Sequence, residues 1–350
     1  MIVPPLRWGV LGCGKIANDF VRSLRFSRHP HQVVAVGAAR GEVFAKEFCA
    51  KARLNSAAFF GNYAQVLRHA DVDVLYVANL NAGHRDWVMR AIEETKKPVL
   101  CEKPLGVNVG EVEEMAKIAR HNRIFLMEAL WSVFLPTWQY IRRCIEDSAN
   151  GPVLYSGANF GIVADKSRMD LVTCETPLMD IGMYTIAFGL FAHYPKYPID
   201  IQVHGECKMD AAKKPISDLW ANITLNFAEG RHALCSYSGL ANGSNQAFIP
   251  EFFWAGTRTV EFELPPRAGV TQSEERWHVP KDWLYTPGFV YNNSFALHYQ
   301  ADHVYECLKN GLTESPVWSL NDSIRLHKIV TEVRRKLKLH FETQDQRYHT

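Results

Sequence analysis

The stretch Leu6-Arg7-Trp8-Gly9-Val10-Leu11-Gly12-Cys13-Gly14-Lys15-Ile16-Ala17 constrains this chain more than any other. It is a short apolar run, then two glycines one residue apart, then Ile16, Ala17, Phe20, Val21 and Leu24 on one helical face. A strand that passes through Gly-x-Gly-x-x-Ala straight into a helix is the opening of a βαβ unit. A second continuous apolar run, Val33 to Ala39, has the composition of a strand covered on both faces. The rhythm repeats. The pattern predicts a helix over Glu42 to Ala52, a strand over Asp73 to Ala78, a helix over Arg85 to Thr95 and a strand over Pro98 to Cys101. A helix capped by Asn108, with Glu111 three residues on, then runs to Arg120, and Ile124 to Glu128 forms the last strand.

From about Ala129 the texture changes to longer runs rich in Val, Ile, Thr, Tyr and Phe. Val153 to Phe160, Ile201 to Glu206 and Leu219 to Phe227 read as strands of a second sheet. Ala228-Glu229-Gly230-Arg231 reads as the turn of a hairpin returning through His232 to Ser238. Helices are expected near 180–192, 296–310 and 320–338. The 350 residues suit two domains. The expected class is α/β: a doubly wound parallel Rossmann sheet over residues 1–128, then an α+β domain over 129–350 with a large, mainly antiparallel open sheet.

The charge balance excludes some roles. Net charge is +2 and the basic residues are spread out, which argues against nucleic acid as a partner. No apolar stretch is long enough to span a bilayer, and the start shows no leader peptide, so a cytoplasmic protein without membrane partners is expected. The eight cysteines form no Cys-x-x-Cys pair and read as reduced thiols, and the fourteen histidines show no ligand spacing, so no metal is expected.

Within the glycine turn, Gly12 permits the tight bend, Gly14 lets the backbone approach a pyrophosphate and Ala17 allows close helix packing. The helix start at Lys15 and Ile16 offers free N–H groups to the anion. The bare pattern also occurs in turns that bind other nucleotides or nothing. The second strand ends in Arg40, where an NAD-preferring site carries an acidic residue. A guanidinium there suits a 2′-phosphate and favours NADP as cofactor, the alternative being a solvated surface arginine. Asn79, Asn81 and His84 follow the next strand at the sheet's carboxyl edge, where they are either cofactor contacts or ordinary loop residues.

Cys101-Glu102-Lys103-Pro104 ends the following strand, and Leu178-Met179-Asp180-Ile181-Gly182-Met183-Tyr184 lies far downstream. By themselves a Glu-Lys pair is a common surface feature and Tyr184 reads as core. Together with LRWGVLGCGKIANDF, HQVVAVGAAR, VLCEKPLGVN, FLMEALW and HVYECLKNGLTESPV, they resemble the glucose-fructose oxidoreductase (Gfo/Idh/MocA) family over nearly the whole chain. The likeness implies hydride transfer between NADP and a small-molecule substrate, a sugar or trans-dihydrodiol. It implies Lys103, Asp180 and Tyr184 as the chemical groups, Glu102 and Lys103 beside the cofactor, and Trp131 and Phe160 lining the substrate pocket. It further implies a homodimer through the C-terminal sheet.

An alcohol oxidation needs a base, and the expected one is Tyr184, its phenol pKa lowered by the Lys103 ammonium, with Asp180 orienting the pair on one helical face. Whether Lys103 or Tyr184 takes the proton is open. The chain departs from the family in two places: Glu175-Thr176-Pro177 replaces a Gly-Gly-Ala stretch, and Val133 replaces an arginine. The altered loop keeps in view a cofactor-bound regulatory protein without turnover, and a third reading, a reductase of a cyclic imine or pigment, would use the same first domain and differ only in pocket polarity.

Overall fold

The structure is a computed structural model and describes residues 4–147, 151–165, 169–242, 252–256, 272–276, 288–291 and 293–339. The first half alternates β1 (Leu6–Leu11), α1 (Lys15–Ser23), β2 (His31–Gly37), α2 (Glu42–Ala52), β3 (Ala58–Phe60), α3 (Tyr63–Arg68) and β4 (Val74–Val77). It continues through α4 (His84–Arg90), β5 (Val99–Glu102), α5 (Val109–Asn122) and β6 (Leu126–Ala129). The six strands form one parallel sheet in the order β3-β2-β1-β4-β5-β6. The order reverses between β1 and β4, which opens the crevice at the carboxyl ends where α/β folds take ligands. The doubly wound expectation is met.

Local differences have local causes. Residues 53–72 show little periodicity, and the sequence reading left out β3, of three residues, and α3, of six, both held by packing against β2. The helix expected over Arg85 to Thr95 is α4 followed by a π turn over Ala91–Thr95, ended by Lys96 at φ 54°. Asn108 caps α5 as expected, its side chain accepting from the Glu111 N–H at 2.9 Å, and the Glu111 carboxylate accepts from Val107 N–H at 3.0 Å.

The second half begins with α6 (Pro136–Glu146), a helix beyond those expected from the sequence, and then β7 (Tyr155–Gly161) and α7 (Met183–Ala192). Next come β8 (Asp200–Met209), β9 (Pro215–Asn226) and β10 (His232–Ser238), a separate pair β11 (Phe252–Gly256) and β12 (Gln272–Arg276), and helices α8 (His298–Lys309) and α9 (Leu320–Lys336). The main sheet here runs β7-β10-β9-β8. β8, β9 and β10 are antiparallel neighbours, as the hairpin reading requires, while β7 joins β10 in parallel. From Asp200 to Lys208 burial along β8 alternates, with Ile201, Val203 and Gly205 turned inward and Gln202, His204 and Glu206 outward. α7 and α9 cover the inner face, and α9 also packs against α5 of the first half.

One apolar core therefore runs through both halves, from Trp8, Phe20 and Tyr76 to Ile186, Tyr237 and Leu326. Val133, the residue in place of the family's arginine, is buried in it. Among the described residues, no helix is long and apolar enough to cross a membrane, and no group of three or more His, Cys, Asp or Glu is placed to hold a metal ion.

Candidate active site

The glycine turn joins β1 to α1 at the switch point. Gly12 has φ +127°, and a Cβ there would lie 2.2 Å from the Ala78 carbonyl oxygen after β4, so only glycine lets the two strand ends approach this closely. Gly14 is the opposite case: a Cβ there would meet nothing within 4 Å. It is exposed and is the N-cap of α1, with no side-chain cap and no acidic residue in the first turn. Among the described residues the first-turn N–H groups of α1 therefore have no side-chain cap, with exposed Lys15 beside Gly14 and Ile16 and Ala17 packed against the core. An uncapped helix start behind a cradle without side chains fits a dinucleotide pyrophosphate. Cys13 does not compete for it as an anion, because burial pushes its thiol up to about 12.

Arg40 lies in the exposed turn after β2, its guanidinium 4.1 Å above the centroid of the Phe44 ring. Among the described residues no carboxylate forms an ion pair with it. A guanidinium stacked on one face keeps its edge N–H donors available to an anion.

The candidate contacts after β4 are more deeply committed than their sequence implied. Asn81 is buried, with its amide donating to the Cys174 carbonyl at 2.9 Å. His84 is wholly buried, Nδ1 2.7 Å from the Pro104 carbonyl oxygen and Nε2 3.2 Å from that of Asn79. Burial holds its pKa below the ordinary value, so the ring is neutral and has a single N–H to donate, for which the Pro104 carbonyl is the nearer acceptor. Asn79 is half-buried, and its side-chain oxygen is buried without a hydrogen-bond partner among the described residues. Glu102 is fully buried under the loop, where it accepts from the Tyr76 hydroxyl at 2.5 Å. Burial pushes its carboxyl up to about 7. The side chains of Asn81, His84 and Glu102 are thus engaged within the protein, with Cys174, Pro104 and Tyr76 as partners.

Lys103 leaves the end of β5 toward the second half. Its ammonium donates to the Asp180 carboxylate at 2.7 Å and to the Asp180 backbone carbonyl at 2.6 Å, and it lies 5.2 Å from the centroid of the Tyr184 ring. The segment carrying Asp180 is not the α-helix that the spacing suggested. Leu178–Gly182 is a π turn, in which the Met183 N–H reaches back to the Leu178 carbonyl, and α7 starts after it. Asp180 and Tyr184 still converge on Lys103, but across a junction between two helical types. Buried Asp218 of β9 anchors the turn by accepting from the Leu178 N–H at 2.7 Å. A Cβ on Gly182 would come within 2.7 Å of the Tyr237 ring, so the turn lies flat against the sheet.

One electrostatic expectation is overturned. The Tyr184 phenol is not pulled down by Lys103; burial, followed by the nearby Glu102 and Asp180 carboxylates, pushes its pKa well above the ordinary value. The ammonium is engaged by Asp180, which offsets its effect on the phenol. A hydrogen bond from the Trp131 indole acts in the lowering direction without reversing the shift. Trp131 is buried in a 3-10 turn after β6, and Phe160 of β7 places its ring centroid 6.1 Å from that of Tyr184. Lys103, Asp180, Tyr184, Trp131 and Phe160 therefore form one cluster.

Glu175-Thr176-Pro177 is held in place beside this cluster. Glu175 is buried and accepts from the Asn81 N–H at 3.3 Å, the Thr176 carbonyl accepts from the Asp180 N–H at 2.8 Å, and Pro177 packs on Gly239. Sequence reasoning missed Asp218 and Glu175 as structural contributors, because their partners lie 40 and 94 residues away.

The sequence model of an oxidoreductase family with an NAD-binding Rossmann fold, Gfo/Idh/MocA, matches residues 6–129. The trans-1,2-dihydrobenzene-1,2-diol dehydrogenase of Xenopus tropicalis is 31% identical over 343 residues, covering 95% of this chain and 98% of the relative. Among solved structures, the 3-ketoreductase KijD10 of Actinomadura kijaniata in complex with NADP and TDP-benzene superposes with a TM-score of 0.71 at 23% identity, covering 95% of this chain and 98% of that one. Levoglucosan dehydrogenase in complex with NADH and levoglucosan superposes at 0.76 with 15% identity, covering 96% and 98%. These two neighbours share the fold and carry different nicotinamide cofactors.

Proposed function

The chain is a member of the Gfo/Idh/MocA oxidoreductase family, and on that premise we propose that it moves a hydride between NADP and a hydroxyl-bearing carbon of a sugar or a trans-dihydrodiol. Residues 1–128 bind the dinucleotide, and residues 129–350 close the site and carry the dimer face. The observation that bears most of this reading is the ammonium of Lys103, fixed on Asp180 beside the Tyr184 ring at the carboxyl edge of the sheet.

When bound, NADP supplies the carbon that accepts the hydride. Gly12, Gly14, Lys15, Ile16 and Ala17 cradle its pyrophosphate, Arg40 takes the 2′-phosphate, and Asn79, Asn81, His84 and Glu102 shape the loops beneath it. Because the fold is compatible with either cofactor, the preference for NADP rests on Arg40.

With two of its donors engaged by Asp180, Lys103 has a remaining N–H for the substrate oxygen. It stabilises the negative charge that develops there as the C–H bond breaks. Tyr184 is protonated at neutral pH because of its burial, so it gives its proton to the substrate oxygen when a carbonyl is reduced. In the oxidative direction it accepts one only as pH rises. Trp131 and Phe160 exclude water from the reacting carbon. The accommodation of Glu175-Thr176-Pro177 and the intact cluster favour turnover over a purely regulatory role.

The outer face of the β7-β10-β9-β8 sheet exposes Tyr155 and Leu234 and is the proposed homodimer surface. The test is absorbance at the nicotinamide band with NADP and NAD against D-xylose, other aldoses and trans-1,2-dihydrobenzene-1,2-diol, and with NADPH and NADH against cyclic imines. Turnover of a sugar or diol with NADP is expected. Tight NADPH binding with no turnover on any of them would refute the assignment.

A further inference from the structure

Lys103 is followed by a peptide unit that is gripped at both ends. The Pro104 carbonyl is bound by His84 at 2.7 Å, and the N–H of the same peptide, from Leu105, donates to Glu128 Oε1 at 2.9 Å. Glu128 lies on β6 opposite Cys101 of β5, and its side chain has no exposed surface. Burying a carboxylate is strongly unfavourable unless its lone pairs are satisfied. Here His327 of α9 approaches Oε1 at 3.0 Å, and the Trp318 indole N–H approaches Oε2 at 3.4 Å while also donating to Ser323 at 3.0 Å. Burial acts to raise the carboxyl's pKa; His327 and the hydrogen bonds from Ser323 and Leu105 outweigh it and leave it below the ordinary carboxylate value.

An apolar residue at this position would leave the Leu105 N–H without this acceptor. The anchoring helix α9 comes from the far end of the chain and also packs against α7, the helix that carries Tyr184. One buried carboxylate thus ties the loop bearing Lys103 to the framework bearing Tyr184. We propose that Glu128, held by His327 and Trp318, is a positioning residue that fixes Lys103 for the reaction. It does not touch the substrate or the cofactor. This rests on the reading of Lys103 as a catalytic group.

The test compares Glu128→Met, which keeps the volume and removes the acceptor, with Glu128→Gln, whose amide oxygen still accepts from Leu105. Lys103→Met is the reference. Three quantities are measured on the full chain: NADPH affinity by fluorescence, turnover of D-xylose and trans-1,2-dihydrobenzene-1,2-diol with NADP, and amide hydrogen exchange across residues 103–107. Displacement of a catalytic group by about an ångström lowers rates on the order of a hundredfold. Glu128→Met is expected to lower kcat by about 10- to 100-fold, leave NADPH affinity within about twofold and speed exchange at Leu105. Glu128→Gln is expected to retain kcat within about threefold.

Unchanged kcat and exchange in Glu128→Met, or a Gln variant no better than Met, would overturn the proposal. Should Glu128→Met not fold, His327→Asn carries the test. It is expected to lower kcat by about 3- to 10-fold at unchanged NADPH affinity, and unchanged kcat refutes the role. Full turnover by Lys103→Met removes the catalytic reading itself, whereas an inactive Lys103→Met beside a fully active Glu128→Met removes only the positioning role.

Discussion

Asp180 holds Lys103 twice, through its carboxylate at 2.7 Å and through its own backbone carbonyl at 2.6 Å, so a single residue sets the direction of the ammonium. Asp180→Asn keeps the backbone contact and an amide oxygen but removes the negative charge. The expected result is a fall in kcat of about 10- to 100-fold with the KM for NADP changed by less than about threefold. Steady-state kinetics at saturating cofactor measure it, and an equal rise in both KM values with kcat unchanged would show that Asp180 acts in binding alone.

The raised pKa of Tyr184 determines the pH dependence. Its phenol stays protonated through neutral pH, because burial and the carboxylates of Glu102 and Asp180 disfavour the phenolate. Oxidation of the substrate by the wild-type enzyme is therefore expected to keep rising with pH beyond about 10, where a free tyrosine titrates. Tyr184→Phe should lose about 10²- to 10⁴-fold of turnover and flatten that alkaline rise, with NADPH affinity unchanged.

Glu102 links stability to pH. Burial raises its carboxyl from 4.5 to about 7, so its folded pKa lies above the unfolded one. Its contribution is present below 4.5 and is lost as pH rises through about 7. Glu102→Gln keeps an acceptor for the Tyr76 hydroxyl and carries no charge. It should be more stable than wild type at pH 8 by on the order of 3 kcal/mol, and the advantage should vanish near pH 4.5 in denaturant titrations.

The two glycines of the turn should fail differently. Gly12→Ala puts a methyl 2.2 Å from a backbone oxygen at φ +127° and is expected to lower the thermal midpoint sharply. Gly14→Ala adds its methyl to open space and should fold normally while weakening NADPH by about tenfold or more. Melting curves together with fluorescence titrations separate the two outcomes.

Arg40 should discriminate between cofactors. Its charge-assisted bonds to a 2′-phosphate are worth about 1.5–3 kcal/mol, so Arg40→Ala should weaken NADPH by about 10- to 100-fold and leave NADH unchanged. Equal loss for both cofactors would place the side chain elsewhere.

The first half of the fold was legible because its signals are local. The boundaries of β1 and α2 follow from runs of apolar residues, a glycine turn and helical spacing within a dozen positions. β3 and α3 were too short to leave a period, and a single π turn such as the one at Asp180, closed by an i→i−5 bond, is too short to leave a sequence period that distinguishes it from an α-helix. Candidate site residues were recognisable by type, since Lys103, Asp180 and Tyr184 do converge, but their electrostatics were not.

By itself the sequence determined that a Rossmann sheet forms, where its glycine turn lies and which charged end the second strand presents, since these depend on backbone sterics and periodicity over a few residues. Tertiary packing alone decided that the Tyr184 phenol is kept protonated, that Glu175 is accommodated and that Glu128 meets a histidine 199 residues away. Desolvation and hydrogen-bond partnership arise only when distant segments exclude water together, and no short window of sequence contains that information.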